Sequence, residues 1–436
     1  MQKIIFLTFF CLFFSCNEPA KKNSFDDIDP LAERYVRLAL QIGQYDADFV
    51  DAYYGPDSLK PILPKLAAFP KDSFLLSVKE LKKQFEEIAS STKNDTIKTR
   101  ASWISGQLTA FDRRIRIFSG QLDSFDVESK ALFGVVAPTY KEDFFLAQLA
   151  QLDSFLPGKG SVAGRFQQLA NRFIIPKKKL DTVFKVAIAE ARRRTLQHFE
   201  LPATEDFKLE YVTNKPWSGY NWYKGNYQSL IQINTDLNIF IDRAIDVGSH
   251  ESYPGHHVYN MLLEKKLYRE KGWVEISLYP LFSPQSLIAE GSANYGIDVV
   301  FPGIDKEQFT RDILLPLAGL DTTGIGLYYK ATALKGKLNF ARNEVARGIV
   351  NGTMDEKEVM RWFTTYCLYN NETAVKSISF IKKNRSYVIN YNYGQELIKN
   401  YIESKGGTEA NSKKRWELFE WLLSNPVTTG ELLKFE

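Results

Sequence analysis

The stretch His250-Glu251-Ser252-Tyr253-Pro254-Gly255-His256-His257, HESYPGHH, decides how the rest of the chain is read. The protein has four histidines, and three of them stand in these eight positions. Neutral imidazole ligates zinc and similar divalent ions, and a carboxylate beside the first imidazole suits a general base for water. The pattern approaches H-E-x-x-H, in which two histidines one helical turn apart face a metal and the Glu faces the water. It departs from that motif at Pro254, which takes the i+4 place, so the next histidines fall at i+6 and i+7.

In an unbroken helix, at about 100° per residue, i+6 points away from i, while i+7 shares its face but lies roughly 10 Å along the axis. Pro254 brings no amide hydrogen and crowds the carbonyl four residues back, and Gly255 tolerates unusual dihedrals. The helical ladder should therefore break or bulge between the histidines. A two-residue excursion would return His256 to the second-ligand place, and a three-residue excursion would return His257.

The octapeptide resembles the His-Glu-x-x-Pro-Gly-His-His signature of a bacterial family of uncharacterised proteins taken to be zinc metallopeptidases, relatives of the gluzincins. Many gluzincins related to oligopeptidases carry H-E-x-G-H. Matching that Gly-His to Gly255-His256 leaves a two-residue insertion, which favours His256 and keeps His257 as an alternative ligand or outer support.

A catalytic zinc site commonly takes three protein ligands and keeps a fourth position open. The downstream candidate is Glu290, in SPQSLIAEGSANYGIDV, where Ser283-Pro284 starts a helix and the acid interrupts an apolar and small-residue run. A carboxylate in such surroundings is costly to bury unless it is paired or metal-bound. Taken alone, Glu290 would read as an ordinary surface residue. The segment Glu290-Gly291-x-Ala293-x-Tyr295 also resembles the family's E-G-W-A-x-Y, whose Glu is the expected third ligand; here Ser292 replaces the Trp, and Ile297 replaces a further acid.

Upstream, residues 207–212 and 229–234 alternate with β-branched and aromatic side chains and read as strands of a small sheet. In gluzincins a sheet lies before the motif helix and its edge strand pairs with substrate, so the resemblance implies that something between Ser218 and Tyr227 lines a cleft. Thr235-Asp236 is a cap signal for the motif helix. Earlier still, Asp29 as N-cap and Pro30 at the first helical position open a helical pattern, and amphipathic runs follow at 72–90, 95–119, 140–155 and 176–199. The basic triplet Arg113, Arg114 and Arg116 reads as a solvated or paired face.

After helical patterns at 305–350 and 354–369 comes an aromatic, polar segment, RSYVINYNYGQELIKNYI. A Tyr hydroxyl or Arg guanidinium aimed at a developing oxyanion would stabilise it. Tyr391-Asn392-Tyr393-Gly394 loosely resembles the family's Tyr-x-x-Gly helix start, making Tyr391 the candidate, with Tyr393 and Arg385 behind it. Tyrosines at helical spacing equally suit core packing. A terminal amphipathic run, RWELFEWLLSN, reads as a clamp on the core.

With 44% hydrophobic and 14% aromatic residues, the chain can bury a large core. Fifty-six basic against 52 acidic residues, without a long run of one sign, give no footprint for nucleic acid. Residues 1–16, MQKIIFLTFFCLFFSC, carry Lys3, an apolar run too short to span a bilayer comfortably, and Ser15-Cys16. This reads as a lipoprotein export signal with Cys16 acylated, although Phe13 stands where a lipobox usually has Leu. A polar tether covers 17–28. With Cys16 lipidated, Cys367 has no partner for an intrachain disulfide.

The sequence thus predicts a mostly α (α+β) protein, a large helical bundle over 29–205 and a gluzincin-like catalytic part over 206–436, with a small β-sheet next to the metal-site helix. It is expected to be exported and anchored to the envelope membrane by lipid. The functional expectation is a zinc peptidase: His250, His256 and Glu290 hold one Zn²⁺, Glu251 is the general base, and a peptide is the substrate. The alternative is a non-catalytic peptide- or glycan-binding lipoprotein with a structural or vestigial metal site.

Overall fold

The computed structural model describes residues 28–435. The export signal at 1–16, Cys16 and the tether up to residue 27 lie outside the described residues. Ile28, placed at the tether's end by sequence, is buried at the entrance to the first helix.

The first half is helical: α1 (Asp29–Gly43), a short strand β1 (Val50–Tyr53), then α2 (Lys71–Ser91), α3 (Asp95–Phe118), α4 (Phe125–Phe133), α5 (Glu142–Phe155), α6 (Val162–Asn171) and α7 (Leu180–Thr195). The expected amphipathic runs appear as α2, α3, α5 and α7. Asn94 caps α3 by accepting from the Thr96 and Ile97 amides. Asp29 is the first residue of α1 rather than its cap, and its carboxylate instead accepts from Arg100 at 2.6 Å. All three arginines of the basic triplet are paired: Arg113 with Asp123, Arg114 with Asp46 and Arg116 with Asp112.

Strands β2 (Asp206–Val212), β3 (Gly219–Gly225) and β4 (Gln228–Asn234) form a sheet in the order β2-β4-β3, with β2 parallel and β3 antiparallel to β4. Alternate residues of β4, Ser229, Ile231 and Ile233, are buried, as its period-two pattern predicts. The motif follows as α8 (Asp242–Glu251) and α9 (His256–Leu263). The start of α8 corrects the expected cap at Thr235-Asp236. Asp236 accepts from the Asn214 amide, and the chain runs on without helix while Ile241 bonds to the Phe173 carbonyl.

Strand β5 (Leu278–Pro280) pairs antiparallel with β1 and leads into α10 (Pro284–Val300), capped by Ser283. The remainder is helical: α11 (Asp305–Phe309), α12 (Leu315–Ala318), α13 (Ile325–Leu338), α14 (Ala341–Asn351), α15 (Glu356–Thr365), α16 (Asn371–Asn384), α17 (Ile389–Ser404), α18 (Ser412–Leu423) and α19 (Thr429–Leu432). The fold is mostly helical with small sheets, as the sequence predicts.

Helix α10 is buried on nearly every face, as its apolar and small-residue composition dictates for a central helix. It crosses α17 at two glycines. A Cβ on Gly291 would meet the Gly394 carbonyl carbon and oxygen at 2.5 Å, so only glycine lets these backbones approach so closely. Tyr35 and Phe111 from the first half and Leu397 and Phe419 from the second belong to one contiguous core. A buried bidentate pair, Arg100 to Glu275 at 2.6 and 2.8 Å, also ties α3 to the approach to β5.

Candidate metal centre

Between α8 and α9 the chain makes the excursion that Pro254 and Gly255 predict. The Gly255 amide donates to the Ser249 carbonyl at 3.1 Å and the Val258 amide to Ser252 at 3.4 Å. These bonds reach back six residues instead of four, so the helix has taken in two extra residues. Gly255 is required by close approach: a Cβ there would lie 1.9 Å from the His250 carbonyl oxygen.

The excursion sets the His250 and His256 rings edge to face, with centroids 4.6 Å apart. Glu290, from the middle of α10, completes the group: its Oε2 lies 3.2 Å from His250 Nε2 and 3.6 Å from His256 Nε2. One ligand atom from each residue falls within 4.8 Å of the other two. Glu290 Oε2 is buried and makes no hydrogen bond. A buried, unbonded carboxylate oxygen facing two imidazole nitrogens suits a divalent cation, and nitrogen and carboxylate donors are those zinc takes. Burial would raise the Glu290 carboxyl, but the charges of His256 and His250 outweigh it and hold it well below the usual range.

Supporting contacts orient these donors. Asn294, one turn after Glu290, places Oδ1 3.0 Å from His250 Nδ1 and donates from Nδ2 to the Tyr391 carbonyl at 2.8 Å, which turns His250 Nε2 toward Glu290. The Tyr387 hydroxyl donates to Glu290 Oε1 at 2.9 Å, leaving Oε2 for the imidazoles. Sequence does not single out Asn294, and it places Tyr387 only within the aromatic segment that carries Tyr391 and Tyr393. The i+4 spacing of Asn294 from Glu290, and of Tyr387 from Tyr391, was the available signal.

Glu251 is 5% exposed and its carboxyl is pushed up to about 7, first by burial and further by Glu290 and Asp51, against the opposing charge of His250. Its Oε1 lies against the start of β3, where a Cβ on Gly219 would come within 2.8 Å of it. Asp51, delivered by β1 and hydrogen-bonded by Tyr220, is a further acid at the site. Burial pushes it up to about 6, with His256 opposing and Glu290 adding. It stands 199 positions before His250, with no motif to mark it.

His257, the alternative ligand, points away from this group. Its Nδ1 lies 2.8 Å from Ser229 Oγ and its Nε2 3.0 Å from Glu205 Oε2, so both ring nitrogens are engaged in the core. Arg385 is likewise directed elsewhere: a left-handed backbone, φ 50°, ends α16 there and turns its guanidinium onto Glu128 at 2.8 Å. Tyr393 is buried in the core at 1% exposure. Tyr391 sets its ring 5.8 Å from that of Tyr387, the residue that bonds Glu290, and burial first, then Glu290, Glu251 and Asp51, drive its hydroxyl well above the ordinary phenol value, with Arg342 opposing.

No family model and no curated protein matches the chain. Its fold is similar to a solved structure described as a candidate lipoprotein from Colwellia psychrerythraea, at 13% identity and a TM-score of 0.51, covering 84% of this chain and 68% of that one. A candidate lipoprotein of unknown function from Shewanella oneidensis matches at 12% identity and 0.47, covering 84% and 73%. The M32 carboxypeptidase from Deinococcus radiodurans R1 matches at 11% and 0.45, covering 93% and 94%. The class in hand is a mostly helical protein with a His-His-Glu donor group in which Glu290 is buried and the two imidazoles are partly so. No helix among the described residues is long and apolar enough to cross a membrane.

Proposed function

We propose that this protein is a zinc-dependent hydrolase, a peptidase of the HExxPGHH family that its octapeptide resembles, in which His250, His256 and Glu290 hold the metal. The observation that carries the reading is the count of donors. The group among the described residues that could hold a metal ion has three members, whereas a structural zinc site is usually closed by four protein ligands. With His257 tied to Glu205 and Ser229, the nearest further histidine is committed elsewhere.

A divalent cation in this group would supply Lewis acidity, polarising an amide carbonyl and acidifying water. Glu251 takes the proton from the attacking water and delivers it to the leaving amine. Asn294 and Tyr387 hold His250 and Glu290 in place, and Tyr391 offers its hydroxyl to the developing oxyanion. The edge strand β3, whose Gly219 packs on Glu251, is the surface along which an extended peptide would lie. Export and a lipid anchor at Cys16 belong to the same proposal and rest on the sequence of residues 1–16.

The test is Glu251→Gln, assayed for metal content and for hydrolysis of a mixed peptide pool. Full metal occupancy with turnover reduced by about 10²–10⁴-fold is expected. Unchanged turnover would remove Glu251 from the mechanism, and a metal-loaded wild type that cuts nothing would favour the non-catalytic binding reading.

A further inference from the structure

The described residues include 19 arginines, and 18 of them make a hydrogen bond or an ion pair within the chain. The exception is Arg342. Its Nε is shut off from solvent and unbonded. Arg342 as a whole is half-buried, and a partly desolvated guanidinium with no carboxylate partner among the described residues is a candidate for a carboxylate from outside.

Its position is built. Arg342 stands at the start of α14 beside Asn343, and Tyr391 stands at the start of α17 beside Asn392. The two asparagines form a reciprocal amide pair in the core, Nδ2 to Oδ1 at 3.0 and 3.1 Å, and Asn392 also donates to the Asn339 carbonyl at 3.2 Å. This clamp fixes the register of the two helices. It puts the guanidinium carbon 5.8 Å from the Tyr391 ring centroid and 4.9 Å from that of Phe380. The Tyr391 carbonyl is held by Asn294, which also contacts His250. One tyrosine therefore separates Arg342 from the candidate metal centre. Arg243, on α8 two turns before Glu251, adds a second positive charge, and it and Arg342 both act on Tyr369.

We propose that Arg342 recognises a carboxylate of the substrate, so that the peptide taken by this site carries an anion beside the bond to be cut. The inference rests on the peptidase reading and deepens it. Such a carboxylate has two sources, the free C-terminus of a peptide or an Asp or Glu side chain. Both present two oxygens to the planar guanidinium fork.

The experiment uses the zinc-loaded protein and three peptide pools of matched composition: free C-terminus without acids, C-terminal amide without acids, and C-terminal amide with Asp and Glu. Wild type and Arg342→Met are compared, since Met keeps an apolar stem on Phe380 and Tyr391. Binding of N-acetylphenylalanine against its amide, by calorimetry, gives a readout without turnover. A preference of about 100-fold in kcat/KM for one carboxylate-bearing pool over the neutral amide is expected, collapsing toward unity in Arg342→Met chiefly through KM. The free-terminus pool winning assigns the chain end, and the acidic amide pool winning assigns the side chain. All three pools cut equally, or an unchanged preference in Arg342→Met, would overturn the inference while leaving the peptidase reading intact. No pool cut, with zinc bound, defeats both.

Discussion

Adding one methyl group at Gly291 should loosen the metal site without touching a ligand. The new Cβ would lie 2.5 Å from the carbonyl carbon and oxygen of Gly394 and 3.0 Å from its Cα, where ordinary contact begins at 3.4 Å. Backbone cannot yield as a flexible side chain would, so α10 and α17 must part by about 1 Å. Two bonds cross that interface and orient the donors: Tyr387 to Glu290 at 2.9 Å and Asn294 to the Tyr391 carbonyl at 2.8 Å. Lengthened by about 1 Å, both pass beyond useful hydrogen-bond reach. Overpacking costs about 1–3 kcal/mol of stability. Loss of the groups that orient metal ligands costs about 10–100-fold in metal affinity. Urea unfolding and zinc titration against a competing chelator measure the two effects on Gly291→Ala. Gly106→Ala on α3, whose Cβ would meet nothing within 4 Å, is the control and should be neutral or slightly stabilising. Zinc affinity within twofold of wild type in a destabilised Gly291→Ala would refute the idea that this crossing sets the site.

The adjacent histidines should separate by phenotype. His256→Ala is expected to lose bound zinc while staying folded. His257→Ala should still bind zinc, though more weakly than wild type, and lose about 1–3 kcal/mol in chemical denaturation, because it strands Glu205 and Ser229 in the core and frees one end of the excursion; the reverse pattern would exchange their roles. Glu205 also gives the acid limb of stability a definite shape. Burial raises its carboxyl, but hydrogen bonds from His257, Tyr253 and Arg192 win and bring it down to about 2, below its ordinary value of 4.5. A depressed carboxyl contributes fully above the unfolded value and loses its contribution as pH falls from about 4.5 toward 2. Glu205→Gln should therefore flatten the decline of Tm over that window, and parallel curves for the two proteins would contradict the assignment.

The motif and the small sheet were legible because each rests on a local rule. Pro254 and Gly255 announce a break, and arithmetic on the helical repeat offers His256 or His257, which the bonds reaching back six residues resolve as a two-residue excursion. Strand β4 shows its alternation directly. What escaped the sequence is what only tertiary packing assembles. Asp51 reaches the site because β1 pairs with β5, a contact across more than 200 residues. Tyr387 touches Glu290 because α17 is pressed onto α10 by facing glycines, and nothing in the spelling of Tyr387 or Tyr391 says which points inward first. Arg385 looked like an oxyanion group by composition, yet the chain reverses at that residue and hands it to Glu128.

The His256-His257 pair shows how an interrupted helix keeps its geometry. Consecutive residues on α9 point about 100° apart, so one ring can face the donor group while the next faces the sheet. The sheet-facing ring is bonded on both sides. Ser229 of β4 meets Nδ1, and Glu205, just before β2, meets Nε2 and also accepts from Tyr253 within the excursion. Ser229 in turn donates to Asn221 of β3 at 3.1 Å, and Asn221 donates to the Glu251 carbonyl at 2.7 Å. Both ends of the excursion are thereby fastened to the same sheet, its start through Glu251 and its return through His257. An unbroken helix holds its second histidine by its own ladder. Here the two extra residues interrupt that ladder, and the bonds to the sheet replace it as the reason His256 stands where His250 and Glu290 can meet it.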